Sequence, residues 1–211
     1  MTGDVASGGG RPLQKALVVA LVLLAGCAAQ EVLLAKSAAV PPGVDLTGSW
    51  RLKDDVSSSP RELSNAIRRT DGVNERRIIE PLEQTDPRMA RPRRARGGLV
   101  HVFLTTGKSL KITQTVAGLF LSFDRAVVEE YRFGENREVR VGPVTAQRVS
   151  GWEGRDYVVE TLDRSGMKLT ERLSLSADGQ TLKRTIVLRS KKLQEEVVAY
   201  EFARIGQESA R

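Results

Sequence analysis

The sequence predicts an all-β domain, an antiparallel meander of about eight to ten strands with one short helix after the first strand. Apolar and polar residues alternate strictly along several segments after residue 99, as in strands with one buried and one exposed face. Asp178-Gly179 joins two such segments, and Asp-Gly is a strong hairpin signal. A meander of this length removes its exposed edges by curling into a barrel or half-barrel.

The first elements are predicted from local chemistry. Trp50 and Leu52 alternate with polar neighbours, which indicates a first strand. Ser57-Ser58-Ser59 then precedes Pro60, with an acid soon after, and this order is typical of a helix start. Apolar residues follow at helical spacing, which predicts a short helix at about 60–69.

The later strands are predicted from alternation alone. Glycines between them mark turns, and the absence of long helical segments argues against a parallel βαβ sheet. The alternating sets are Val100, Val102 and Leu104; Leu110 and Ile112; Leu119, Leu121 and Phe123, with Ala117-Gly118 as a turn; Met167, Leu169, Leu173 and Leu175; Leu182, Ile186 and Leu188; and Val198, Tyr200 and Phe202.

The N-terminus has the order of a secretory signal. Arg11 and Lys15 precede an uninterrupted apolar run over 16–24, and small residues follow it. Leu24-Ala25-Gly26-Cys27 resembles the bacterial lipobox. That resemblance implies that residues 1–26 are a signal peptide and that Cys27 becomes the acylated N-terminus, so that membrane lipid is a partner of the chain.

Two other interpretations of the N-terminus stay open. A transmembrane anchor needs about 20 apolar residues, and Gln30-Glu31 interrupts the run here. A soluble secreted protein cleaved after Ala29 is the other. In a lipoprotein, residues 27–44 would be a lipidated tether stiffened by Pro41-Pro42. In bacterial lipoproteins, an aspartate directly after the cysteine retains the protein in the inner membrane. That position is Ala28 here, which favours an outer-membrane location facing the periplasm.

The domain itself spans 45–205, followed by a short tail at 206–211. Gly48-Ser49-Trp50 resembles the first-strand signature of lipocalins, in which the Trp plugs the closed end of the barrel. Five segments resemble, in order, motifs of uncharacterised lipocalin-like bacterial secreted domains: Leu110–Gln114, Tyr131–Gly134, Trp152–Gly154, Val158–Thr161 and Lys168–Leu182. This resemblance covers roughly 46–203 and implies a fold; it does not imply an activity.

Composition excludes several function classes. The chain of 211 residues has one Cys and one His, so neither an internal disulfide nor a Cys/His zinc site is expected. No calcium loop, phosphate-binding glycine loop or nucleophile motif is present, so we expect no metal, cofactor or catalytic residue. A catalytic His101 or a pair among Glu129, Glu130, Glu160 and Glu171 is the weaker alternative, since such groups on strands usually face solvent or an opposing Arg.

An Arg-rich segment and an apolar interior are the two candidate sites. The loop at 71–97 contains Arg88, Arg91, Arg93, Arg94 and Arg96 without an acid among them, although the formal net charge is only +7. Arginine forks suit phosphate and carboxylate groups, so this segment is a candidate anion-binding site on a membrane surface. A solvated loop is the bland alternative, and nucleic acid is not expected because stacking aromatics are absent.

The predicted inward set is apolar, and a closed barrel of about eight strands can hold one small ligand. The candidate pocket residues are Ile112, Leu121, Phe123, Leu169, Leu173, Ile186, Leu188, Tyr200 and Phe202. The alternative is that they only fill the core. The sequence thus predicts a non-enzymatic envelope lipoprotein that binds a lipophilic or anionic small ligand. An accessory envelope protein that contacts a protein partner or a polyanion through its surface is the second interpretation.

Mass spectrometry of the mature protein tests the first step. We expect an N-terminal Cys27 bearing acyl groups, because the thiol lies directly after the predicted cleavage site. An unmodified Met1 terminus in membrane fractions would contradict this.

Overall fold

The computed structural model describes residues 31–55, 57–70 and 100–206. Ten strands, one α-helix and one short 3-10 helix lie within these ranges. In chain order they are β1 (Gly48–Leu52), α1 (Pro60–Thr70), the 3-10 helix (Val100–Phe103), β2 (Ser109–Gln114), β3 (Gly118–Phe123), β4 (Val127–Arg132), β5 (Glu135–Val141), β6 (Val144–Glu153), β7 (Asp156–Asp163), β8 (Lys168–Leu175), β9 (Thr181–Arg189) and β10 (Glu195–Ile205).

The ten strands form one antiparallel sheet in the order β4-β3-β2-β1-β10-β9-β8-β7-β6-β5. Neighbours in the sheet are neighbours in sequence, except that β1 pairs with β10. The two edge strands, β4 and β5, are joined by a short turn at 133–134, so the sheet curls back on itself into a nearly closed barrel. The predicted all-β meander with a helix after the first strand is confirmed.

The pairing of the first strand with the last closes the meander. Trp50 lies opposite Arg204 in this pair and is fully buried. The Arg204 guanidinium lies 4.2 Å from the centre of the Trp50 ring, and the Trp50 indole N–H donates to the Leu46 carbonyl at 3.2 Å. The Trp predicted to plug one end of the barrel is therefore packed at the start of β1.

The helix α1 begins as its sequence predicts. The Ser59 hydroxyl accepts from the Glu62 backbone N–H at 3.2 Å, and the Glu62 carboxylate accepts from the Ser59 N–H at 3.0 Å. This reciprocal pair is a capping box, and Pro60 takes the first helical position, where its missing N–H costs nothing. Leu63 and Ala66 then bury one face of α1 against the barrel core.

The prediction of a strand directly after the Arg-rich segment is wrong. Val100–Phe103 is a 3-10 helix, and it buries Val100 and Phe103 while Val102 is exposed. A 3-10 helix has three residues per turn, so residues three apart share a face. Val100 and Phe103 therefore point the same way, which the alternation of Val100, Val102 and Leu104 concealed. His101 lies on this 3-10 helix, and its predicted place on a strand is wrong as well.

Residues 33–43, here called the N-terminal strap, run along the outside of the barrel, and the chain enters the interior core at Val44. Ser37 and Trp152 exchange two backbone hydrogen bonds of 2.9 and 3.3 Å in an antiparallel bridge. Further along the strap, the Leu33 N–H donates to the Gln147 side chain at 2.9 Å. The Leu33 side chain is buried beside Val149 and Leu162. Much of the segment predicted as a tether therefore lies against β6 and β7.

A lysine and a glycine hold the strap in place. The Lys36 ammonium lies 2.5 Å from Glu153 and 2.6 Å from Glu160. Burial lowers the pKa of Lys36, but its hydrogen bonds to the two carboxylates outweigh burial and leave the pKa raised. A Cβ on Gly151 would lie 2.5 Å from the Ser37 carbonyl oxygen, so only glycine permits this close approach.

Among the described residues, no helix is long and apolar enough to cross a bilayer.

Substitution of Gly151 by Ala is expected to release the strap. The added methyl group overlaps the strap backbone, and overpacking of this kind costs about 1–3 kcal/mol. Trypsin should then cleave after Lys36 about tenfold faster than in the native chain. Gly206→Ala is the matched control, because nothing lies within 4 Å of its added Cβ and its backbone is outside the left-handed region. Equal cleavage rates in both variants would contradict the assigned role of Gly151.

Candidate functional site

The nine predicted pocket residues lie together inside the barrel. Alternation along β2, β3, β8, β9 and β10 points them inward, and all are buried in one continuous core. They are Ile112, Leu121, Phe123, Leu169, Leu173, Ile186, Leu188, Tyr200 and Phe202. Their place in the interior agrees with the predicted alternation. Their role as a ligand pocket stays a prediction.

An ion pair lies within this apolar interior. Glu171 on β8 and Arg184 on β9 both point inward, with relative exposures of 7% and 1%. The Arg184 Nε donates to a Glu171 carboxylate oxygen at 3.1 Å, and Nη2 of the same guanidinium contacts that oxygen as well. The guanidinium also lies 4.8 Å from the centre of the Phe123 ring. A buried charge is tolerated only with partners of this kind.

A second polar group surrounds Glu129 on β4. The hydroxyls of Tyr131 and Thr105 each donate to one oxygen of the Glu129 carboxylate. The Arg148 guanidinium lies 5.4 Å from the centre of the Tyr131 ring and donates from Nε to the Thr161 hydroxyl at 3.3 Å. Two carboxyl groups, Glu129 and Glu171, and two guanidinium groups, Arg148 and Arg184, therefore belong to this cluster.

Burial controls the protonation of this cluster. It raises the pKa of Glu171, while the charge of Arg184 opposes the rise and that of Glu129 adds to it. Burial likewise raises the pKa of Tyr131 well above its usual range, with a further rise from Glu171 and Glu129. Burial also raises the pKa of Tyr157, although the Ser150 hydroxyl and the charge of Arg148 act to lower it. Both tyrosines therefore stay neutral hydrogen-bond donors at physiological pH.

The space beside the ion pair is small. A cavity of about 10 Å³ is lined by Leu121, Tyr131, Tyr157, Val159, Glu171, Leu173 and Arg184. That volume suits a single water molecule. The buried Tyr157 hydroxyl meets no partner at hydrogen-bonding geometry among the described residues. The nearby Ser150 hydroxyl donates instead to the Arg132 carbonyl at 2.8 Å.

The barrel wall beside this cavity is closed by side chains. The sheet order gives no backbone pairing between β4 and β5. Four aromatic rings cross this line, with centroids 5.3 to 6.4 Å apart: Tyr131, Phe133, Trp152 and Tyr157. We call this set the aromatic seam. Contacts of this kind favour tilted geometries and do not require the wall to be continuous in backbone hydrogen bonds.

Sequence reasoning missed the centre of this site. Arg184 lies at the inward position between Leu182 and Ile186, and Glu171 lies between Leu169 and Leu173. A charged residue at the same alternating position on each of two adjacent strands was the available signal. Glu171 was expected to face solvent or an opposing Arg, and its pairing with Arg184 confirms the second of these.

The remaining candidate residues are scattered or lie elsewhere. Glu160 is on the outer face, 2.6 Å from Lys168, and Glu130 is exposed. No group of three or more His, Cys, Asp or Glu is arranged to hold a metal ion in the ranges that the structure describes. Cys27 and the five candidate arginines, Arg88, Arg91, Arg93, Arg94 and Arg96, fall outside those ranges.

Comparisons with known proteins give weak likenesses. No protein-family model matches the chain, and no curated protein matches it significantly. Secretory abundant heat soluble protein 4 from Ramazzottius varieornatus is similar in structure, with a TM-score of 0.45, 12% identity and coverage of 76% of this chain and 94% of that chain. A second secretory abundant heat soluble protein of that organism has a TM-score of 0.42 and 14% identity, with coverage of 75% of this chain and 94% of that chain. Lipid binding protein 8 of Caenorhabditis elegans has a TM-score of 0.43 and 12% identity, with coverage of 75% of this chain and 94% of that chain. We draw no functional argument from these values.

Removal of the interior cation should produce a pH-dependent loss of stability. Arg184→Leu leaves Glu171 buried without its partner, and breaking a buried pair costs about 3–5 kcal/mol. The raised pKa means that the folded chain binds this proton more tightly than the unfolded chain does. The contribution of Glu171 therefore favours folding at low pH and is lost as pH rises through the folded pKa.

In urea unfolding, Arg184→Leu should accordingly lower the free energy of unfolding, relative to the native chain, by more at pH 7 than at pH 5. Arg172→Leu is the control, because Arg172 pairs with Glu153 and Asp156 on the partly exposed outer face. Pairs of that kind contribute about 1 kcal/mol or less. An Arg184→Leu loss no larger than that of the control would contradict the inward pairing.

Proposed function

We propose that this chain is a lipid-anchored envelope protein whose barrel is a non-enzymatic binding module for an amphipathic small ligand. The ligand would have an apolar chain and a hydrogen-bonding head group. The observation that supports this most directly is the aromatic seam, which lies beside the polar cluster of an otherwise apolar interior. An apolar interior with a few convergent polar groups is the common design of small-ligand sites.

The seam offers a route of entry. Elsewhere in the described sheet, neighbouring strands are joined by backbone hydrogen bonds, so separating them would expose many unpaired groups. Between β4 and β5, opening requires that ring contacts be exchanged for contacts with the ligand and that the hydrogen bond from the Ser150 hydroxyl to the Arg132 carbonyl be broken. Each aromatic contact contributes about 0.5–1.5 kcal/mol beyond its buried area, which a lipophilic ligand can replace.

The polar cluster provides a place for the head group. Tyr157 has a buried hydroxyl with a proton to donate, and it lines the cavity together with Arg184 and Glu171. An anionic head would compete with Glu171 for Arg184, whereas a neutral polar head would add to the existing pair. An apolar chain would lie along the surrounding aliphatic residues, such as Leu121 and Leu173.

The anchor is supported by the sequence around Cys27. The apolar run, the small residues and the single cysteine have the order expected for lipidation, and several acyl chains hold a protein on a membrane stably. We propose an outer-membrane location with the barrel facing the periplasm. The mass measurement described for Cys27 tests this part.

A second function is favoured by the volume of the cavity. A space of about 10 Å³ is far below the 300 Å³ or more of typical ligand pockets. If the interior never opens, the barrel is a scaffold, and the protein acts in the envelope through its surface, on a protein partner or a polyanion.

A dye titration separates the two functions. The probe is 1-anilinonaphthalene-8-sulfonate, an amphiphile with apolar rings and an anionic head. It is added to an unacylated chain that begins at residue 31, because the residues from Val32 onward form one compact unit. We expect saturation at about one dye per chain. Leu121→Phe places a ring in the cavity and should weaken binding about tenfold, with folding verified by thermal melting.

Val128→Phe is the matched control, because Val128 lies on the exposed face of β4 and the same kind of ring is added there. It should leave dye affinity unchanged. Weak, unsaturable fluorescence in the native chain, or an equal response of the two variants, would reject the pocket and favour the surface function.

A further inference from the structure

The turns of the barrel form two rims. In an antiparallel meander, alternate turns lie at the same edge of the sheet. The turns at 124–126, 142–143, 164–167 and 190–194 make one edge, which we call the upper rim. The turns at 115–117, 133–134, 154–155 and 176–180 make the other, the lower rim.

The N-terminal strap runs toward the upper rim. Ser37 pairs with Trp152, near the lower end of β6, whereas Leu33 binds Gln147, close to the start of that strand. Because β6 begins at the upper rim, the described part of the strap reaches that end of the barrel at Leu33. Val32 and Leu34 flank this point with exposures of 67% and 80%.

The chain between Leu33 and Cys27 is short. Cys27 precedes Leu33 by six positions in the sequence. An extended chain spans at most about 3.3–3.6 Å per residue, so the acyl chains of a lipidated Cys27 would be held within about 20 Å of Leu33. A membrane that receives those chains is thus kept close to the strap's exit from the barrel.

The upper rim combines exposed aliphatic side chains with cations. Three of its turns show the pattern: Val127 follows Arg125, Val141 follows Arg140, and Leu193 follows Lys191-Lys192. Val127, Val141 and Leu193 are 45%, 44% and 70% exposed. Basic residues next to exposed apolar groups suit the boundary between anionic headgroups and acyl chains.

The lower rim lacks this combination. Its exposed aliphatic residue, Val116, stands between Thr115 and Ala117 and has no cation beside it. The turn at 176–180 contributes the acid Asp178, and Arg155 is engaged with the Pro42 carbonyl at 3.2 Å. The upper-rim turns contain one acid, Asp124, and four cations, whereas the lower-rim turns contain one acid and one cation, so the two ends of the barrel differ in net charge. The four upper-rim cations are Arg125, Arg164, Lys191 and Lys192.

We propose that the upper rim docks on the anionic phospholipid surface of the membrane that holds Cys27. This rests on the proposed acylation. Docking in this orientation places the turns that contain Val127, Val141 and Leu193 at the headgroups, and leaves the lower rim in the aqueous compartment. The lipid headgroups are the anionic partner, and the cations of the rim supply the attraction.

The test uses the full acylated protein in vesicles of phosphatidylglycerol and dibrominated phosphatidylcholine. Acylation consumes the natural thiol, so a single introduced cysteine can bear a fluorophore. Leu193→Cys places it on the upper rim, and Val116→Cys is the matched control on the lower rim. We expect bromine quenching at position 193 at least threefold stronger than at 116.

A charge variant tests the attraction itself. Lys191→Gln with Lys192→Gln, in the Leu193→Cys background, should lower the ratio of docked to undocked protein about tenfold, because each basic residue near such a surface contributes to binding. Lys111→Gln with Lys183→Gln removes two exposed lysines away from the upper rim and should leave quenching unchanged.

Equal quenching at the two rims, or stronger quenching at 116, overturns the docking. In that case an acyl mass on Cys27 shows that the anchor itself stands. Absence of the acyl mass overturns both the anchor and the docking, so the two failures are distinguishable.

Discussion

The pairing of β1 with β10 is the constraint on which the barrel depends. Every other backbone pairing in the described sheet joins strands that are consecutive in sequence, and these pairings alone would leave two separate meanders. Leu52 meets Phe202 in this pair, and Trp50 meets Arg204. The Arg204 guanidinium contacts the Trp50 ring and donates to the carbonyls of Thr47 and Gly179, at 2.6 and 2.7 Å. A contact between the ends of the domain thus joins the two halves around one core.

The polar residues of the interior come from strands that are far apart in the sheet, since Glu129 lies on β4, Glu171 on β8 and Arg184 on β9. The Arg184–Glu171 pair lies between apolar layers and is compensated by its own hydrogen bonds and by the Phe123 ring. Replacement of such a pair by apolar residues is often neutral or stabilising, so its presence is weak evidence of a stabilising role. The pair lines the small cavity and lies near the line where no backbone hydrogen bonds join β4 and β5.

The N-terminal strap links the barrel to its surroundings. Through Lys36 and Gly151 it is fixed to β6 and β7, so the direction in which the chain leaves is set by the barrel and is not that of a free linker. The upper rim is the edge toward which the strap leads, whereas the aromatic seam lies at the other end of the barrel, beside the lower-rim turns at 133–134 and 154–155.

The sequence by itself determined the class of fold, because alternation, turn residues and helix caps act locally. Asp178-Gly179, Ser59 with Glu62, and the alternation through Leu182 and Ile186 all give the observed elements. Local patterns failed at Val100–Phe103, because a segment this short contains apolar residues both two apart, as in a strand, and three apart, as in a 3-10 helix.

Tertiary structure alone decided what the interior contains. The inward position of Arg184 could be counted from the alternation, but its partner, Glu171, lies thirteen residues away on another strand. The small size of the cavity and the docking of the strap depend equally on contacts between distant segments. Sequence periodicity says which face of a strand is buried; only the packing of several strands fixes which buried groups meet and how much space remains between them.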